Sequence, residues 1–476
     1  MDNKNKNNYK KLAKNSVFFF ISSFGSKLLV FFLLPLYTTY LSTAEYGIAD
    51  LINTAVSLLF FIFTLDIGAA ILRFVMQRKN TGTSVLRYGF FILLIGFSLL
   101  SLITILFCVL KVFNWPVYCY IFFAIIFLLH GTNDLLTNYL KGTDRVLHAT
   151  VASLLLSIVT LVSSILLIIV FKMQLFGYLL TTVLGFVAAI IYMGIIALLN
   201  KNQFNSEKIS KETKLSMLSY CIPLAISGFG WWLNLSLGKF IVAFVCGDEQ
   251  AGIYAAATKI PALITVCFTI FVQAWVISAI EEYGENDNDA SFFNNVYNAI
   301  NAFTIVFASI LIVFNKQVVS FILRGDFFEA AKYTPFLLVS SLFSGFAGIL
   351  EGIFAAKKKN RVVGLSTLCA SVVNLVATYF LVSSIGLIGA AISAAISFAI
   401  IWAIRLIFAG KIIPIKKANL LIHLLSYVLI CLQAFLSYIG FNQIWIQGLI
   451  LIALIGLNVK NIILFFSRFK TVLKKN

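Results

Sequence analysis

The stretch at residues 88–110 reads YGFFILLIGFSLLSLITILFCVL and holds no Asp, Glu, Lys or Arg between Arg87 and Lys111. An α-helix needs about 20 apolar residues to cross the roughly 30 Å hydrocarbon core of a bilayer. A strand of a membrane β-barrel would instead alternate apolar and polar residues over a shorter segment. This stretch therefore predicts a transmembrane helix.

Comparable apolar runs fill most of the chain. Of its 476 residues, 61% are hydrophobic and 11% are charged, and the mean hydropathy is +0.99, whereas a soluble domain typically carries about 25% charged residues. The composition predicts an all-α integral membrane protein with about 14 transmembrane helices. The predicted spans are 16–40, 46–72, 86–110, 117–140, 149–171, 175–199, 217–245, 251–280, 296–321, 333–356, 362–383, 386–410, 419–439 and 443–466.

The sequence also repeats itself. At a shift of 205 residues, Ile21-Ser-Ser-Phe-Gly25 matches Ile226-Ser-Gly-Phe-Gly230, and at a shift of 216 the basic loop at Lys141 matches the one at Lys357. Repeats of the same orientation are typical of transporters whose substrate site lies between two halves. We therefore expect two six-helix lobes related by a parallel repeat, followed by two C-terminal helices. The predicted domains are an N-terminal lobe at 1–200, a cytoplasmic linker at 201–216, a C-terminal lobe at 217–410 and the additional helices at 419–466.

Glycine and proline interrupt the first helix of each predicted lobe. Such interruptions in corresponding helices indicate moving or binding elements, although both residues are also common in membrane helices that only pack. The candidate hinge residues are Gly25, Pro35, Pro223, Gly228 and Gly230.

A few charged residues fall inside the predicted spans. Each costs at least about 2.5 kcal/mol in hydrocarbon, so such residues usually face a cavity or a partner. The basic residues predict a central cavity that binds an anionic headgroup, and the acidic residues are candidates for ion coupling. Two alternatives remain: lysines that reach the membrane surface, and structural ion pairs of Asp66 with Arg73 or of Glu351 with a loop lysine. The basic set is Lys27, Arg73, Lys239 and Lys259, and the acidic set is Asp66, Asp134 and Glu351.

Lys and Arg concentrate in alternate loops, which is typical of cytoplasmic loops in membrane proteins. With the N-terminus inside, 28 of the 36 Lys and Arg residues, Arg405 among them, fall in inward segments. Both termini are therefore predicted to be cytoplasmic. The formal charge of +18 is then a topology signal that faces anionic lipid, and no nucleic-acid partner is predicted.

Cysteine and histidine give no sign of a metal site. The seven cysteines are scattered without a C-x-x-C pair, and His130, His148 and His423 lie far apart in the sequence. This pattern favours cysteines that pack in apolar surroundings. No metal and no cofactor are predicted.

The segment from Asn15 to Gly47 resembles a phrase of the bacterial polysaccharide transporters, LP-x-Y-T…L-S-x-x-E-Y-G, which joins their first two helices. Here it reads Leu34-Pro-Leu-Tyr-Thr38 and Leu41-Ser-Thr-Ala-Glu-Tyr-Gly47. Asp66-Ile-Gly-Ala-Ala and Arg73-Phe74 are similar to the G-x-x-x-x-x-R-F/Y phrase of the same family. The chain thus resembles, over essentially its whole length, the Wzx-type lipid-linked oligosaccharide flippases of the multidrug/oligosaccharidyl-lipid/polysaccharide exporter superfamily.

The resemblance implies a function. Members of this family pass an undecaprenyl-pyrophosphate-linked sugar unit from the inner to the outer leaflet of the bacterial cytoplasmic (inner) membrane. A V-shaped cavity between the lobes alternates its opening, and a gradient of H⁺ or Na⁺ is a candidate driving force. The expected partners are the lipid-linked oligosaccharide, membrane lipid and other polysaccharide-assembly proteins.

Three alternatives belong beside this interpretation. A lipid II flippase is close in chemistry and hard to separate by sequence. A drug exporter of the same superfamily would bind cationic drugs with carboxylates, where this chain offers lysines. A polysaccharide polymerase or lipid-linked glycosyltransferase generally needs a sizeable external loop, and the longest outward loop here, 322–332, is short. Because no P-loop, G-x-S-x-G or H-E-x-x-H motif occurs either, the chain is predicted not to be an enzyme.

Overall fold

The computed structural model describes residues 32–77, 82–199, 209–262, 264–265, 268, 290–356, 360–412, 417–440 and 444–473. All regular structure in these ranges is helical, which confirms the predicted all-α membrane fold. The chain divides into two compact units, Met1–Trp232 and Leu233–Asn476. The predicted lobe boundaries, with a linker at 201–216, stay a prediction.

The described part of the first unit runs from α1, whose described residues are 32–40, into α8, which crosses the boundary between the units. Its further helices are α2 (Thr43–Thr64), α3 (Ile67–Gln77), α4 (Gly82–Val109), α5 (Val117–Gly142), α6 (Val146–Ser164), which continues as a π-helix over Ile165–Val170, α7 (Gln174–Leu198) and α8 (Lys211–Cys246). The buried core of this unit is built mainly from one face each of α2, α3, α5 and α7.

The second unit contains the end of α8 and the helices that follow it. They are α9 (Asp248–Lys259), α10 (Ala290–Val313), α11 (Asn315–Ile322), a 3₁₀ segment (Gly325–Lys332), α12 (Thr334–Ala356), α13 (Asn360–Ile385), α14 (Leu387–Gly410), α15 (Lys417–Tyr438) and α16 (Ile444–Leu473). The closest packing in this unit joins α14 to α12 and α13, while α15 and α16 pack against α10.

Most predicted spans have a matching helix. Among the described residues, 11 helices are long and apolar enough to cross a membrane, and Tyr297–Val313 with Asn315–Ile322, bent by 72°, adds a twelfth if the pair is one span. Much of the predicted spans 16–40 and 251–280 lies outside the described residues. The chain is a multi-pass membrane protein, and the count of about 14 spans stays a prediction.

The start of α2 shows why its sequence forms a helix there. The Ser42 hydroxyl accepts a hydrogen bond from the backbone N–H of Glu45, while the Glu45 carboxylate accepts one from the backbone N–H of Ser42. This reciprocal cap satisfies two donors that a helix start leaves free. On either side of the cap, Tyr37 and Tyr46 are buried and meet the ring of Tyr178 edge-on, with centroids 4.7 and 6.4 Å away. The phrase that carries the family resemblance thus caps α2 and packs it onto α7.

The prediction of one continuous helix over 46–72 is wrong. The helix stops at Thr64, Leu65 and Asp66 have φ of 51° and 52°, and a new helix starts at Ile67. For residues other than glycine this left-handed conformation costs about 1–3 kcal/mol each and persists only where the surroundings hold it. Asp66 therefore lies at a helix break, which we call the α2–α3 break (Leu65 and Asp66).

Candidate functional site

The predicted basic residues are divided between the two units. Lys27, like the hinge candidate Gly25, lies outside the described residues. Arg73 lies in α3 of the first unit, whereas Lys239 in α8 and Lys259 at the end of α9 belong to the second. Arg73 is exposed, Lys259 is partly buried, and Lys239 is buried with 8% of its surface exposed.

The guanidinium of Arg73 lies over an aromatic ring. Its Cζ is 4.4 Å from the ring centroid of Tyr220, which α8 supplies. A cation over such a ring gains about 0.5–1 kcal/mol at an exposed site. No ion pair joins Arg73 to Asp66 in the part of the chain that the structure describes, so the proposed structural pair between these two residues is wrong. The guanidinium of Arg73 therefore lies on an exposed surface of the first unit.

The α2–α3 break is held by contacts to its backbone. The carbonyl of Asp66 accepts a hydrogen bond from the Ala69 N–H at 3.1 Å and one from the Cys221 thiol at 3.6 Å. The first contact begins α3, and the second ties the break to α8. The break leaves the first-turn N–H groups of α3 pointing back along the helix axis, where a helix carries partial positive charge.

Asp134 lies against this helix start. Its Oδ2 occupies the space beside Gly68, since a Cβ added to Gly68 would lie 1.9 Å from that oxygen. Asn138 donates a hydrogen bond to Asp134 Oδ1 at 3.0 Å, while Oδ2 is buried and has no hydrogen-bond partner among the described residues. A side chain at position 68 would require this carboxyl group to move.

Asp134 belongs to a polar line on α5. His130, Asp134, Asn138 and Lys141 follow one another at intervals of three or four residues, which places them on one face of the helix. The His130 ring lies between apolar neighbours, and its Nδ1 is buried without a hydrogen bond in the described part of the chain. The line therefore combines two buried groups that can bind a proton.

Glu351 in the second unit has a different partner from the one expected. One alternative pairs Glu351 with a loop lysine, but the structure pairs Glu351 Oε2 with Nη1 of Arg405 at 3.3 Å. Arg405, which the predicted span 386–410 contains and which is counted among the inward basic residues, lies inside α14 and is fully buried. The alternative of a pair between Glu351 and a loop lysine is therefore wrong, because the partner is this buried guanidinium.

The hydrogen bonds of Arg405 join three helices. Besides Glu351, it donates hydrogen bonds to the Ala347 carbonyl at 2.7 Å and to the hydroxyls of Ser366 and Thr367, both at 3.2 Å. A buried guanidinium is tolerable only when its donors are satisfied in this way. Sequence reasoning missed this residue, although its position five residues inside the end of the predicted span 386–410 was a usable signal.

A second polar cluster, formed by neutral side chains of α8, α13 and α14, was also missed. Asn234 donates a hydrogen bond to Ser371 and accepts one from Ser397, and Asn374 donates to the Asn234 carbonyl at 3.2 Å. Thr378 and Ser393 extend it with a hydroxyl pair at 2.7 Å. Small polar residues do not stand out in apolar sequence, so no signal marked them.

The hinge candidates have mixed surroundings. Pro35 lies in α1, and Pro223, Gly228 and Gly230 lie inside α8. A Cβ on Gly228 would come within 2.5 Å of the Phe61 ring. This close contact agrees with the packing alternative for Gly228, and the hinge role stays a prediction. Within the described residues, no group of three His, Cys, Asp or Glu side chains could hold a metal ion.

A family model described as "Polysaccharide biosynthesis protein" matches residues 12–277. The chain belongs to the polysaccharide biosynthesis protein family. The matched region holds both phrases on which the sequence resemblance rests, the α2–α3 break and Asp134.

One curated relative of this family member is the probable low-salt glycan biosynthesis flippase Agl15 of Haloferax volcanii. It is 20% identical over 222 residues, which are 46% of this chain and 47% of the relative. The chain thus matches about half the length of that relative. The match supports the Wzx-type resemblance within the family.

Solved structures show the fold. An inward-facing multidrug resistance MATE family transporter of the MOP superfamily has a TM-score of 0.65 at 14% identity, covering 81% of this chain and 95% of that one. The lipid II flippase MurJ, inward closed, has a TM-score of 0.63 at 16% identity over 95% and 98%. A MOP superfamily transporter from Pyrococcus furiosus reaches 0.59 at 15% over 84% and 95%. The family member thus has a MOP-superfamily fold. These proteins are flippases and transporters rather than catalysts, in agreement with the prediction that the chain is not an enzyme.

Proposed function

We propose that this protein is a flippase that moves undecaprenyl-pyrophosphate-linked oligosaccharide repeat units from the inner to the outer leaflet of the bacterial cytoplasmic membrane. The product would supply surface polysaccharide synthesis. The observation that carries the proposal is the family match over residues 12–277 on a chain with a transporter fold. The similarity to a glycan biosynthesis flippase supports it.

The basic residues suit the headgroup of such a substrate. A pyrophosphate can leave water only if the protein supplies compensating positive charge. Lys27, Arg73, Lys239 and Lys259 are the proposed sources of that charge. Arg73 is exposed beside Tyr220, which would let a guanidinium bind a phosphate in a bidentate manner.

Transport would proceed by alternating access. In this proposal the predicted lobes at 1–200 and 217–410 alternate the opening of the cavity between them. Pro223 lies in α8 and removes a backbone hydrogen bond there. Both termini would be cytoplasmic, and a gradient of H⁺ or Na⁺ would drive the cycle through Asp66, Asp134 or Glu351.

The decisive experiment reconstitutes the purified protein in vesicles with one of three substrates: an undecaprenyl-pyrophosphate-linked oligosaccharide, lipid II or a cationic drug. We expect translocation of the oligosaccharide lipid, measured by access of an external lectin or glycosidase to the sugar. Translocation of lipid II alone would make the protein a peptidoglycan-precursor flippase. Export of the drug alone would place it with the drug exporters, and either result would overturn the proposal.

A further inference from the structure

Two acidic residues lie near the ends of α5 and α12, one position out of register in the repeat, and have different partners. Asp134 lies seven residues before Lys141, and Glu351 lies six residues before Lys357, where the matching basic sequence begins. Glu351 is 3.3 Å from Arg405. Asp134 instead accepts a hydrogen bond from Asn138 through Oδ1, and its buried Oδ2 has no hydrogen-bond partner in the described ranges. Glu351 therefore has a cationic partner, whereas the second carboxylate oxygen of Asp134 is available to bind a proton.

The charged groups nearest Asp134 have opposite signs. Asp66 lies at the α2–α3 break, and Lys141 lies two turns along α5. The other titratable group in the polar line on α5 is His130, one turn away. The other helices packed against α5 carry Glu45, Tyr46 and Asp50 on α2, Arg73 on α3, Arg87, Tyr88 and Cys108 on α4, His148 on α6, and Tyr178 and Tyr192 on α7.

The surroundings of Oδ2 fit a proton better than a metal cation. A metal ion needs several oxygen, nitrogen or sulfur ligands, and in the described part of the chain no three acidic, histidine or cysteine side chains converge. A proton needs one acceptor atom with room for the O–H bond, and Oδ2 is such an atom. In this buried place a carboxylate without a partner is costly, so either a proton or the positive end of a helix must stabilise it.

That helix end is the start of α3. Gly68 is the second residue of α3, and Asp134 Oδ2 fills the space where a Cβ at Gly68 would stand. A charged Asp134 is attracted to this end of the helix dipole, and a protonated Asp134 is not. The attraction holds α3 against α5 at the point where Leu65 and Asp66 adopt a left-handed backbone. Removing the attraction removes one of the contacts that maintain the break.

We propose that Asp134 is the residue of the first unit that takes up and releases a proton, and that its protonation loosens the α2–α3 break. The proton comes from water, binds Oδ2, and returns to water when the carboxylate forms again. Asp66, whose carbonyl is tied to Cys221, transmits the change to α8. The transport consequence rests on the proposed function, but the proton-linked change of the break does not.

The first test measures hydrogen–deuterium exchange of residues 60–72 in lipid nanodiscs, corrected for the intrinsic pH dependence of exchange. Asp134→Asn has the shape of the protonated acid, so we expect faster exchange in this segment at neutral pH. The wild type should reach the same rate only when the pH is lowered. Glu212→Gln, which removes an exposed carboxylate at the start of α8, serves as the control and should exchange like the wild type. Equal exchange in the wild type and Asp134→Asn at every pH would overturn the proposal.

The second test uses the reconstituted vesicles and an imposed pH gradient. We expect the gradient to stimulate flipping of the oligosaccharide lipid by the wild type and Glu212→Gln, and the stimulation to be lost in Asp134→Asn. Retained stimulation in that variant, or stimulation by a Na⁺ gradient alone, would overturn the role of Asp134 as a proton carrier. If no lipid-linked oligosaccharide moves while the exchange result holds, the proposed function fails and the proton-linked break stands.

Discussion

The guanidinium of Arg405 is fully buried and lies 3.3 Å from the carboxylate of Glu351, whose side chain keeps 46% of its surface exposed. The two partners therefore contribute unequally. Arg405 also bonds the Ala347 carbonyl and two hydroxyls of α13, so its hydrogen bonds join α12, α13 and α14. Arg405 therefore makes the hydrogen bonds that join the three helices, whereas Glu351 is a half-exposed partner at the edge of this contact.

We expect Arg405→Leu to destabilise the protein by about 1–3 kcal/mol, because it leaves buried neutral acceptors without their donor. Glu351→Gln should cost far less, since Arg405 keeps its other three acceptors and the lost ion pair is partly screened by water. The measurement is the apparent melting temperature of each purified variant in the same detergent. Equal losses in the two variants would show that the ion pair, not the hydrogen bonds of Arg405, holds the three helices.

The packing of Gly68 gives a second prediction. Gly68→Ala would place a methyl group within 1.9 Å of Asp134 Oδ2, and overpacking of this kind typically costs about 1–3 kcal/mol. Gly194→Ala on α7 is the matched control, because nothing lies within 4 Å of its Cβ position. That variant should be neutral or slightly stabilising, since alanine favours a helix over glycine by about 1 kcal/mol.

A second-site change tests the cause of the Gly68 effect. Asp134→Ala removes the carboxyl group that the new methyl group would meet. The double variant Gly68→Ala/Asp134→Ala should therefore be more stable than Gly68→Ala alone, as measured by thermal unfolding. A double variant that loses the sum of both single effects would mean that the two residues do not compete for the same space.

Several features of this fold follow from sequence because their causes are local. Long apolar runs predict α4 to α7 within a few residues, and Ser42 three residues before Glu45 is a recognisable helix start. The α2–α3 break has no such cause, since neither glycine nor proline marks Leu65 and Asp66. It lies beside a contact between Gly68 and Asp134, which are 66 positions apart in sequence, so no local pattern reveals it.

The same distinction between local and long-range causes applies to the candidate site. Charged residues inside apolar runs could be found one by one, and Asp134 was among them. Their partners could not, because the Arg405–Glu351 pair and the Asn234 cluster join helices far apart in the chain. The charge-bias rule counts Arg405 only as an inward basic residue, whereas its hydrogen bonds show that it lies in the core of the second unit.

The predicted orientation can be tested with single cysteines in a background that lacks the seven native ones. Thr39 and Glu212 are exposed and stand on opposite sides of the predicted topology. We expect an impermeant thiol reagent on intact cells to label Thr39→Cys and not Glu212→Cys, with both labelled after lysis. Labelling of Glu212→Cys alone in intact cells would reverse the orientation and place both termini outside.

The last prediction concerns the negative charge of the proposed substrate and tests Lys259, which ends α9 and is partly buried. At an effective dielectric constant near 20, opposite charges 4 Å apart attract by about 4 kcal/mol before desolvation. If a variant loses even a third of this attraction in the transition state, the rate of flipping falls about tenfold. Lys259→Ala should therefore slow the flipping of oligosaccharide lipid in vesicles by about tenfold or more. Lys259→Arg should restore part of the rate, and Lys259→Glu should be slower than Lys259→Ala because it repels phosphate.

Lys332→Ala is the control, since this exposed lysine already pairs with Glu329 at 3.2 Å, and this variant should flip the lipid at the wild-type rate. If Lys259→Glu and Lys259→Ala both fold and flip at that rate, Lys259 does not bind the headgroup.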